Sequence, residues 1–169
     1  MTHRLKKLFL FSAIFFAVFF CSGENRLSAL ATPADPASRE DLATVRRVID
    51  GDTFDLESGE RVRLIGVDTP EYQPWKNRVD FFGKEASEFT RKLLTGKKVL
   101  LEKDADPKDN YGRTLAYVYL EDGRFVNLLL VEEGYARAKY YSPNGRHYLE
   151  FKRSQDKARR SKKGLWTKP

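Results

Sequence analysis

The 169-residue chain has a single cysteine, Cys21, and only two histidines. One cysteine cannot form an intramolecular disulfide, so a disulfide-stabilised fold is excluded, and so is a zinc site built from cysteine thiolates. Two histidines leave little for an imidazole-rich centre, so a bound metal ion must be held by oxygen ligands. The 11 glycines and 7 prolines are ordinary numbers, which excludes collagen-like and low-complexity chains.

What is present suits one compact domain with a basic surface. A hydrophobic content of 41% is enough for a single packed core, and the length excludes a large multidomain enzyme. The formal net charge is +7, and the chain stays basic when its N-terminal segment is set aside. A basic body suits a polyanion such as nucleic acid, although many soluble proteins carry this excess and bind none.

Residues 1–31 have the pattern of a secretory signal peptide. An uncharged apolar run fills 8–20, and those 13 residues are too few for a membrane-spanning helix, which needs about 20. The run is preceded by three cations, Arg4, Lys6 and Lys7. We therefore expect a domain that works outside the cytoplasm, secreted, periplasmic or in the cell envelope.

Three ways of processing the segment stay open. The small residues Ala29 and Ala31 form a cleavage site for plain secretion, whereas Cys21 directly follows the apolar run, as the lipid-modified cysteine of bacterial lipoproteins does. Phe20 disfavours lipidation, because a small residue is wanted before such a cysteine. An uncleaved anchor is the third alternative.

The remaining chain predicts a flexible spacer at 32–43, rich in small residues and proline, and a folded domain at 44–169. β-Branched runs predict five strands, at 44–49, 53–56, 61–67, 98–103 and 114–120, the last turning back into 124–126. Apolar periodicity and glycine stops predict three helices, at 82–93, at 127–133 and after Pro143. Five short strands bury a core best by closing, so the expected class is α+β, an OB-fold β-barrel with three helices.

Two acidic clusters stand at strand ends, Asp50–Thr53 and Asp68–Glu71. If the second and third strands pair as a hairpin, Asp52 near the start of one and Asp68 at the end of the other reach the same end. Two carboxylates and a main-chain carbonyl would hold a hard cation such as Ca²⁺ and leave room for a phosphate. Taken alone, each cluster also fits a turn or a strand terminator.

Three further side chains complete a candidate phosphodiesterase set. Arg63 alternates with apolar neighbours and is expected to face a ligand, and Arg113 follows a glycine at a loop edge. Two guanidiniums can fork to phosphate oxygens and hold the charge of a five-coordinate transition state. Glu71, three residues past Asp68, can orient or deprotonate a water molecule beside the metal.

The sequence resembles the thermonuclease family of secreted, staphylococcal-nuclease-like enzymes over nearly the whole span from Val45 to Trp166. The shared segments are 48–53, 63–71, 83–86, 111–117 and 164–166. The resemblance implies an OB-fold barrel with three helices and hydrolysis of DNA and RNA to products with a 3′-phosphate. It also implies Ca²⁺ bound by Asp52, Asp68 and the Thr69 carbonyl, catalysis by Arg63, Glu71 and Arg113, and Tyr111 and Tyr141 near the nucleotide.

Two positions depart from the family pattern, Asn110, where a lysine is frequent, and Lys139, where an aromatic residue is common. Little base preference is expected, because no base-reading constellation is evident. No protein partner is indicated, and a monomer is expected. The main rival function is a noncatalytic nucleic-acid-binding OB-fold domain; a wall-binding or protein-binding domain would leave the charged set unexplained.

The segment 72–82 remains without an assigned role. It combines aromatic and basic side chains, among them Trp75, Lys76 and Arg78. Packing against the domain and contact with nucleic acid are both open for it. The basic run at 152–163 is interpreted as a solvated helix face, and Trp166 is expected to pack the tail onto the barrel.

Overall fold

The computed structural model describes residues 42–168. The predicted signal peptide, Cys21 and all but the last two residues of the predicted spacer lie outside the described residues. Within 42–168, no helix combines the length and apolar character needed to cross a bilayer.

Nine strands and three helices make up this part of the chain. The strands are β1 (Ala43–Val48), β2 (Thr53–Leu56), β3 (Arg61–Leu64), β4 (Val67–Asp68), β5 (Tyr72–Gln73), β6 (Arg78–Val79), β7 (Lys98–Glu102), β8 (Thr114–Leu120) and β9 (Arg137–Ala138). The helices are α1 (Gly83–Leu94), α2 (Val126–Glu132) and α3 (Tyr148–Arg160). Two short 3₁₀ turns cover Pro74–Lys76 and Gly164–Thr167.

Five of the strands close into a barrel in the order β1-β2-β3-β8-β7. β3 and β8 are parallel, and the other neighbouring pairs are antiparallel. Alternate side chains of these strands fill the interior, where they are almost fully enclosed: Phe54, Leu56, Val62, Leu64, Val99, Ala116 and Val118. The predicted α+β OB-fold with a five-stranded barrel and three helices is confirmed.

The predicted third strand, 61–67, is too long. β3 ends at Leu64, and a turn through Gly66 redirects the chain into the short β4, which pairs with β9. Gly66 has a positive φ of 77°, and a Cβ there would lie 2.6 Å from a ring carbon of Phe151 on α3. A glycine is therefore required where the chain leaves the barrel, and the turn carries Asp68 onto a separate two-stranded ribbon.

The first two predicted helices are found within one residue of their expected bounds, and the third, expected after Pro143, begins at Tyr148. Gly96 and Gly134 both have positive φ just after α1 and α2, as expected of helix-ending glycines. The predicted return strand 124–126 is wrong, because Phe125 makes a single bridge to Tyr119 and α2 begins at the next residue. The tail packs as expected: Leu165 is buried and donates its N–H to the Gly134 carbonyl at 2.9 Å.

Candidate active site

Asp52 ties the start of β2 to the segment after β4. Its Oδ2 accepts hydrogen bonds from both the backbone N–H and the hydroxyl of Thr69, each at 2.9 Å. The β2–β3 hairpin forms as predicted, with Thr53 opposite Arg63. The approach is tight, because a Cβ on Gly51 would lie 2.6 Å from the Thr69 hydroxyl oxygen. Two segments that are 17 residues apart in sequence therefore meet at one carboxylate.

Arg63 lies at the centre of the candidate site. Its Nη1 lies 2.8 Å from Oδ2 of Asp52, and its Nη2 lies 3.5 Å from Oδ1 of Asp68. The side chain is only 11% exposed. Burial alone would lower the pKa of Arg63, but the negative charges of Asp52, Asp50 and Asp68 outweigh it and keep the pKa above its ordinary value. Arg63 thus points away from the barrel core, as expected, but is enclosed by carboxylates and is not open to solvent.

Asp68 is shared by two cations. Lys139, just after β9, places its Nζ 3.1 Å from Asp68 Oδ1, the same oxygen that Arg63 contacts at 3.5 Å. The backbone N–H of Lys139 donates to the Gly66 carbonyl at 2.9 Å, which fixes the lysine beside the turn that ends β3. Interactions with Tyr141 and Asp68 raise the pKa of Lys139, so the ammonium stays charged. A cation bound at Asp68 would compete with this ammonium for the negative charge of the carboxylate.

The donor set fits a hard cation. Asp50 and Asp52 lie on one turn, and burial together with the negative charge of Asp52 raises the pKa of Asp50 well above that of a free carboxyl. Such repulsion is relieved by a bound cation. Asp52 Oδ1 accepts only a 3.2 Å bond from the Thr53 hydroxyl among the described residues, so it keeps capacity for a ligand. Within 42–168, however, no cluster of three or more carboxylate, imidazole or thiol side chains is placed around one point, so a main-chain carbonyl or water would have to complete the shell.

Glu71 is held by the segment that follows it. Its carboxylate accepts a 2.9 Å hydrogen bond from the Gln73 side-chain amide and lies 4.0 Å from the Arg78 guanidinium. Its backbone exchanges hydrogen bonds with Asp80, and a Cβ on Gly83 would lie 2.3 Å from the Glu71 carbonyl oxygen. The glycine that begins α1 therefore lets the backbone of Glu71 pass close by. Among the described residues, no hydrogen bond or ion pair joins the Glu71 carboxylate to any of the three predicted metal ligands, Asp52, Asp68 and Thr69.

Arg113 stands at the start of β8, beside β3. The parallel register pairs Arg63 with Leu115, so Arg113 lies two residues earlier, about 7 Å along the strand from the level of Arg63. Asp109 holds it, since Oδ2 accepts from Nε at 2.6 Å and Oδ1 accepts from the backbone N–H at 3.0 Å. Neither Nη group of Arg113 makes a hydrogen bond or ion pair with a residue of 42–168, which leaves both available to a phosphate.

The two predicted nucleotide-contacting tyrosines lie on different loops. Tyr111 is 86% exposed, and the Arg113 guanidinium carbon lies 5.4 Å from its ring centroid. Tyr141 is 37% exposed, and the Lys139 ammonium lies 5.1 Å from its ring centroid. Each tyrosine therefore flanks a cation of the candidate site.

The structure brings Asp52, Arg63, Asp68 and Thr69 into direct contact. Glu71 and Arg113 lie on neighbouring segments with partners of their own. Sequence reasoning assigned no role to four residues that position this set: Asp50, Gln73, Asp109 and Lys139. Only Asp109 carried a usable signal, since an aspartate four residues before an arginine across a glycine turn is a common local pair.

Comparisons with known proteins identify relatives along this region. The profile of the family described as staphylococcal nuclease homologue matches residues 61–168. The chain is 50% identical over 125 residues to a thermonuclease of Staphylococcus intermedius, covering 72% of this chain and 74% of that protein. It is 45% identical over 133 residues to a thermonuclease of Staphylococcus hyicus, with 77% and 78% covered. It is also 38% identical over 130 residues to the SPbeta prophage-derived endonuclease YokF of Bacillus subtilis, with 74% and 44% covered.

Proposed function

Since the chain belongs to the staphylococcal nuclease family and is a phosphodiester-hydrolysing nuclease acting on nucleic acids, we propose that it uses Ca²⁺ to cut DNA and RNA. The cut shows little sequence preference and leaves 3′-phosphate ends. The observation that carries the proposal is the meeting of Arg63, Asp68 and Thr69 around the buried carboxylate of Asp52. A binding-only domain has no need to enclose an arginine among aspartates.

Asp52, Asp68 and the Thr69 carbonyl would hold the Ca²⁺. When bound, the ion supplies positive charge beside the scissile phosphodiester and neutralises the local carboxylates. Asp52 is suited to this role, because Thr69 and Arg63 fix Oδ2 while Oδ1 keeps spare capacity. Asp68 is suited because its carboxylate is partly exposed toward the solvent.

Arg63 and Arg113 bind the phosphate. Planar guanidiniums present pairs of N–H donors that match two phosphate oxygens, and they hold the charge that develops in the five-coordinate transition state. Arg113 is prepared for this because Asp109 fixes only Nε and the backbone. Tyr111 and Tyr141 lie beside cations of the site and contact the nucleotide that is being cut.

Glu71 acts as the general base. It takes a proton from a water molecule as the water oxygen bonds to phosphorus, and the bond from phosphorus to the 5′-oxygen breaks. The departing 5′-oxygen takes up a proton from solvent water. The phosphate remains on the 3′ side because the bond to the 5′-oxygen is the one that breaks. Gln73 orients the Glu71 carboxylate by donating to one of its oxygens, which leaves the other to receive the proton.

The chain works outside the cytoplasm as a monomer, carried there by residues 1–31. The support is the sequence pattern alone, a basic start followed by the apolar run at 8–20. Mass spectrometry of the protein recovered from its native host tests this. A mature N-terminus after Ala31 fits secretion, and a lipid on Cys21 fits envelope anchoring. An intact Met1 on membrane-bound protein fits an uncleaved anchor, and an intact Met1 on protein in the cytoplasm contradicts export.

Cleavage assays with and without Ca²⁺ test the proposed function. We expect single-stranded DNA and RNA oligonucleotides to be cut in Ca²⁺, less in Mg²⁺, and not in excess chelator, since the octahedral demand of Mg²⁺ suits a loose oxygen site poorly. The products should accept a new 5′-phosphate from a kinase without prior phosphatase treatment, because their 5′ ends are hydroxyls. Equal cleavage in chelator would contradict the metal requirement, and 5′-phosphate ends would contradict the bond assignment.

A further inference from the structure

The hairpin that follows Glu71, residues 72–79, exposes large apolar side chains that would ordinarily be buried. β5 and β6 pair with Tyr72 opposite Val79 and Gln73 opposite Arg78, and a 3₁₀ turn at Pro74–Lys76 joins them. We call these residues the aromatic hairpin. Trp75 at its tip is 68% exposed, although burying such a ring stabilises a fold by several kcal/mol. Of the two alternatives left open by the sequence, packing against the domain is therefore excluded for Trp75.

Two exposed cations, Lys76 and Arg78, lie on the hairpin with Trp75, and Arg78 is 4.0 Å from the Glu71 carboxylate. Just after the hairpin, the Phe81 ring has its centroid 4.1 Å from the Nζ of Lys168. The acidic side chain at this base, Asp80, points back to accept the Glu71 backbone N–H at 3.1 Å. The outward surface therefore combines an aromatic face with positive charge, which complements a base attached to a phosphate backbone.

The aromatic hairpin is continuous with the proposed catalytic carboxylate. Glu71 immediately precedes β5, and Gln73 within the hairpin donates a 2.9 Å hydrogen bond to the Glu71 carboxylate. Asp80 closes the base of the hairpin by donating its backbone N–H to the Glu71 carbonyl at 2.9 Å. Trp75 therefore lies on the same short ribbon as the Glu71 carboxylate, two residues past the Gln73 that contacts it.

We propose that Trp75 is a stacking site for an unpaired nucleobase of the strand being cut, with Lys76 and Arg78 contacting the flanking phosphates. The proposal deepens the proposed function and rests on it. A base in a duplex has its faces covered by its neighbours, whereas an unpaired base offers a free face to an indole ring. The hairpin therefore favours single-stranded DNA and RNA, or frayed and looped regions, over intact duplex.

Intrinsic fluorescence of the full chain tests the binding site without cleavage. The chain has two tryptophans, and Trp166 lies between the guanidiniums of Arg137 and Arg159, each 5.7 Å from its ring. In excess chelator and low salt, we expect a 16-nucleotide oligo(dT) to quench the wild-type emission. The Trp75→Phe variant should keep its affinity for oligo(dT) within a few-fold but lose most of the quenching.

The Trp75→Ala variant should bind oligo(dT) on the order of tenfold more weakly, because stacking of one base is lost. Its affinity for a duplex of the same length should change less than about threefold. In Ca²⁺, the same variant should raise KM for oligo(dT) while kcat stays near that of the wild type. The matched control is Leu149→Ala. It also removes a large exposed apolar side chain, but one that lies on α3, and it should change neither the oligo(dT) affinity nor the duplex affinity.

Oligo(dT) affinity in Trp75→Ala within twofold of wild type would overturn the proposal, as would equal losses for oligo(dT) and duplex. Trp75-dependent binding to phosphatidylserine vesicles with unchanged oligo(dT) binding would also overturn it and assign the hairpin to membranes. The two proposals fail separately. If Trp75→Ala loses oligo(dT) binding but the wild type shows no Ca²⁺-dependent cleavage, only the proposed function is contradicted. If the wild type cleaves normally and Trp75→Ala binds oligo(dT) as the wild type does, only the stacking site is contradicted.

Discussion

Asp109 holds Arg113 by two different groups of the same residue, the side-chain Nε at 2.6 Å and the backbone N–H at 3.0 Å. Burial would raise the pKa of Asp109, but the hydrogen bonds from Arg113 and Tyr111 outweigh it and hold that pKa below its ordinary value. The carboxylate is therefore charged at neutral pH. It keeps Arg113 in one orientation before a substrate arrives.

We predict that Asp109→Asn lowers kcat on the order of tenfold with little change in KM, because the volume is kept while the charged contact to Nε is lost. Steady-state cleavage of a single-stranded oligonucleotide measures this. Asp122→Asn is the matched control, since Asp122 pairs with Arg124 in an exposed turn. Equal effects of the two substitutions would show that Asp109 does not position Arg113.

Replacing either arginine of the site by lysine should cost at least about a hundredfold in cleavage rate. Lysine keeps the charge of Arg63 or Arg113 but loses the fork that spans two phosphate oxygens. The exposed Arg124→Lys serves as control and should keep the wild-type rate. A near-normal rate in Arg113→Lys, with folding confirmed by thermal melting, would make that arginine a surface charge.

Lys139→Gln should lower the Ca²⁺ concentration that gives half-maximal cleavage by about three- to tenfold, because it removes an ammonium that competes for the Asp68 carboxylate. Calorimetry with Ca²⁺ gives the same affinity without substrate. Lys152→Gln is the control, since Lys152 pairs with Asp156 on α3. An unchanged or weakened Ca²⁺ affinity in Lys139→Gln would contradict the competition.

We predict that protonation of Asp55 lowers the stability of the fold at acid pH. Its side chain is 3% exposed, and its carboxylate accepts from Arg61 Nε at 2.7 Å and from Arg47 Nε at 2.9 Å. The Arg61 hydrogen bond, with help from Arg47, lowers the pKa of Asp55 to about 2 against the opposing effect of burial. Because the folded-state pKa is depressed, this stabilisation is complete above about pH 4 and is lost as the pH falls toward about 2.

Urea unfolding from pH 7 to pH 2 checks this. Asp55→Asn should lower the free energy of unfolding by about 2 kcal/mol at pH 7, since charge-assisted hydrogen bonds are lost. It should also lose less stability than the wild type between about pH 4 and about pH 2. Parallel pH curves for the two proteins would exclude Asp55 as the source of this loss of stability at acid pH.

The barrel could be predicted because each of its strands has enough residues to show alternation or a β-branched run. Val62 and Leu64 are buried on either side of Arg63, as the pattern indicates. The two-residue strands β4 and β9 could not be predicted, since two residues have no period and their pairing joins segments about 70 residues apart. The end of β3 was missed for a different reason: the apolar run continues past it to Val67, so the pattern does not show where the strand stops. The close approach of Phe151 to Gly66 is a tertiary contact that the pattern does not show either.

For the site, the sequence supplied the residue types but not their partners. The enclosure of Arg63 depends on Thr69 and Asp68 returning to Asp52 after the turn, which a strand pattern does not reveal. Lys139 reaches Asp68 from 71 residues away, so only the β4–β9 pairing exposes that contact. Contacts between residues so far apart in the sequence are set by the tertiary fold, and they cannot be predicted from the spacing of residues within a short motif.

The central claim is that Glu71 acts as a base beside, and not within, the Ca²⁺ ligand set. Glu71→Gln removes negative charge and basicity while nearly preserving volume, so folding and Ca²⁺ binding should survive. The decisive measurement is the single-turnover cleavage rate of this variant at saturating Ca²⁺, with Ca²⁺ affinity from calorimetry. The account predicts a rate lower by about 10² to 10⁴ with affinity changed much less. A collapsed affinity with the full rate restored by excess Ca²⁺ would make Glu71 a metal ligand, and an unchanged rate would remove it from the mechanism.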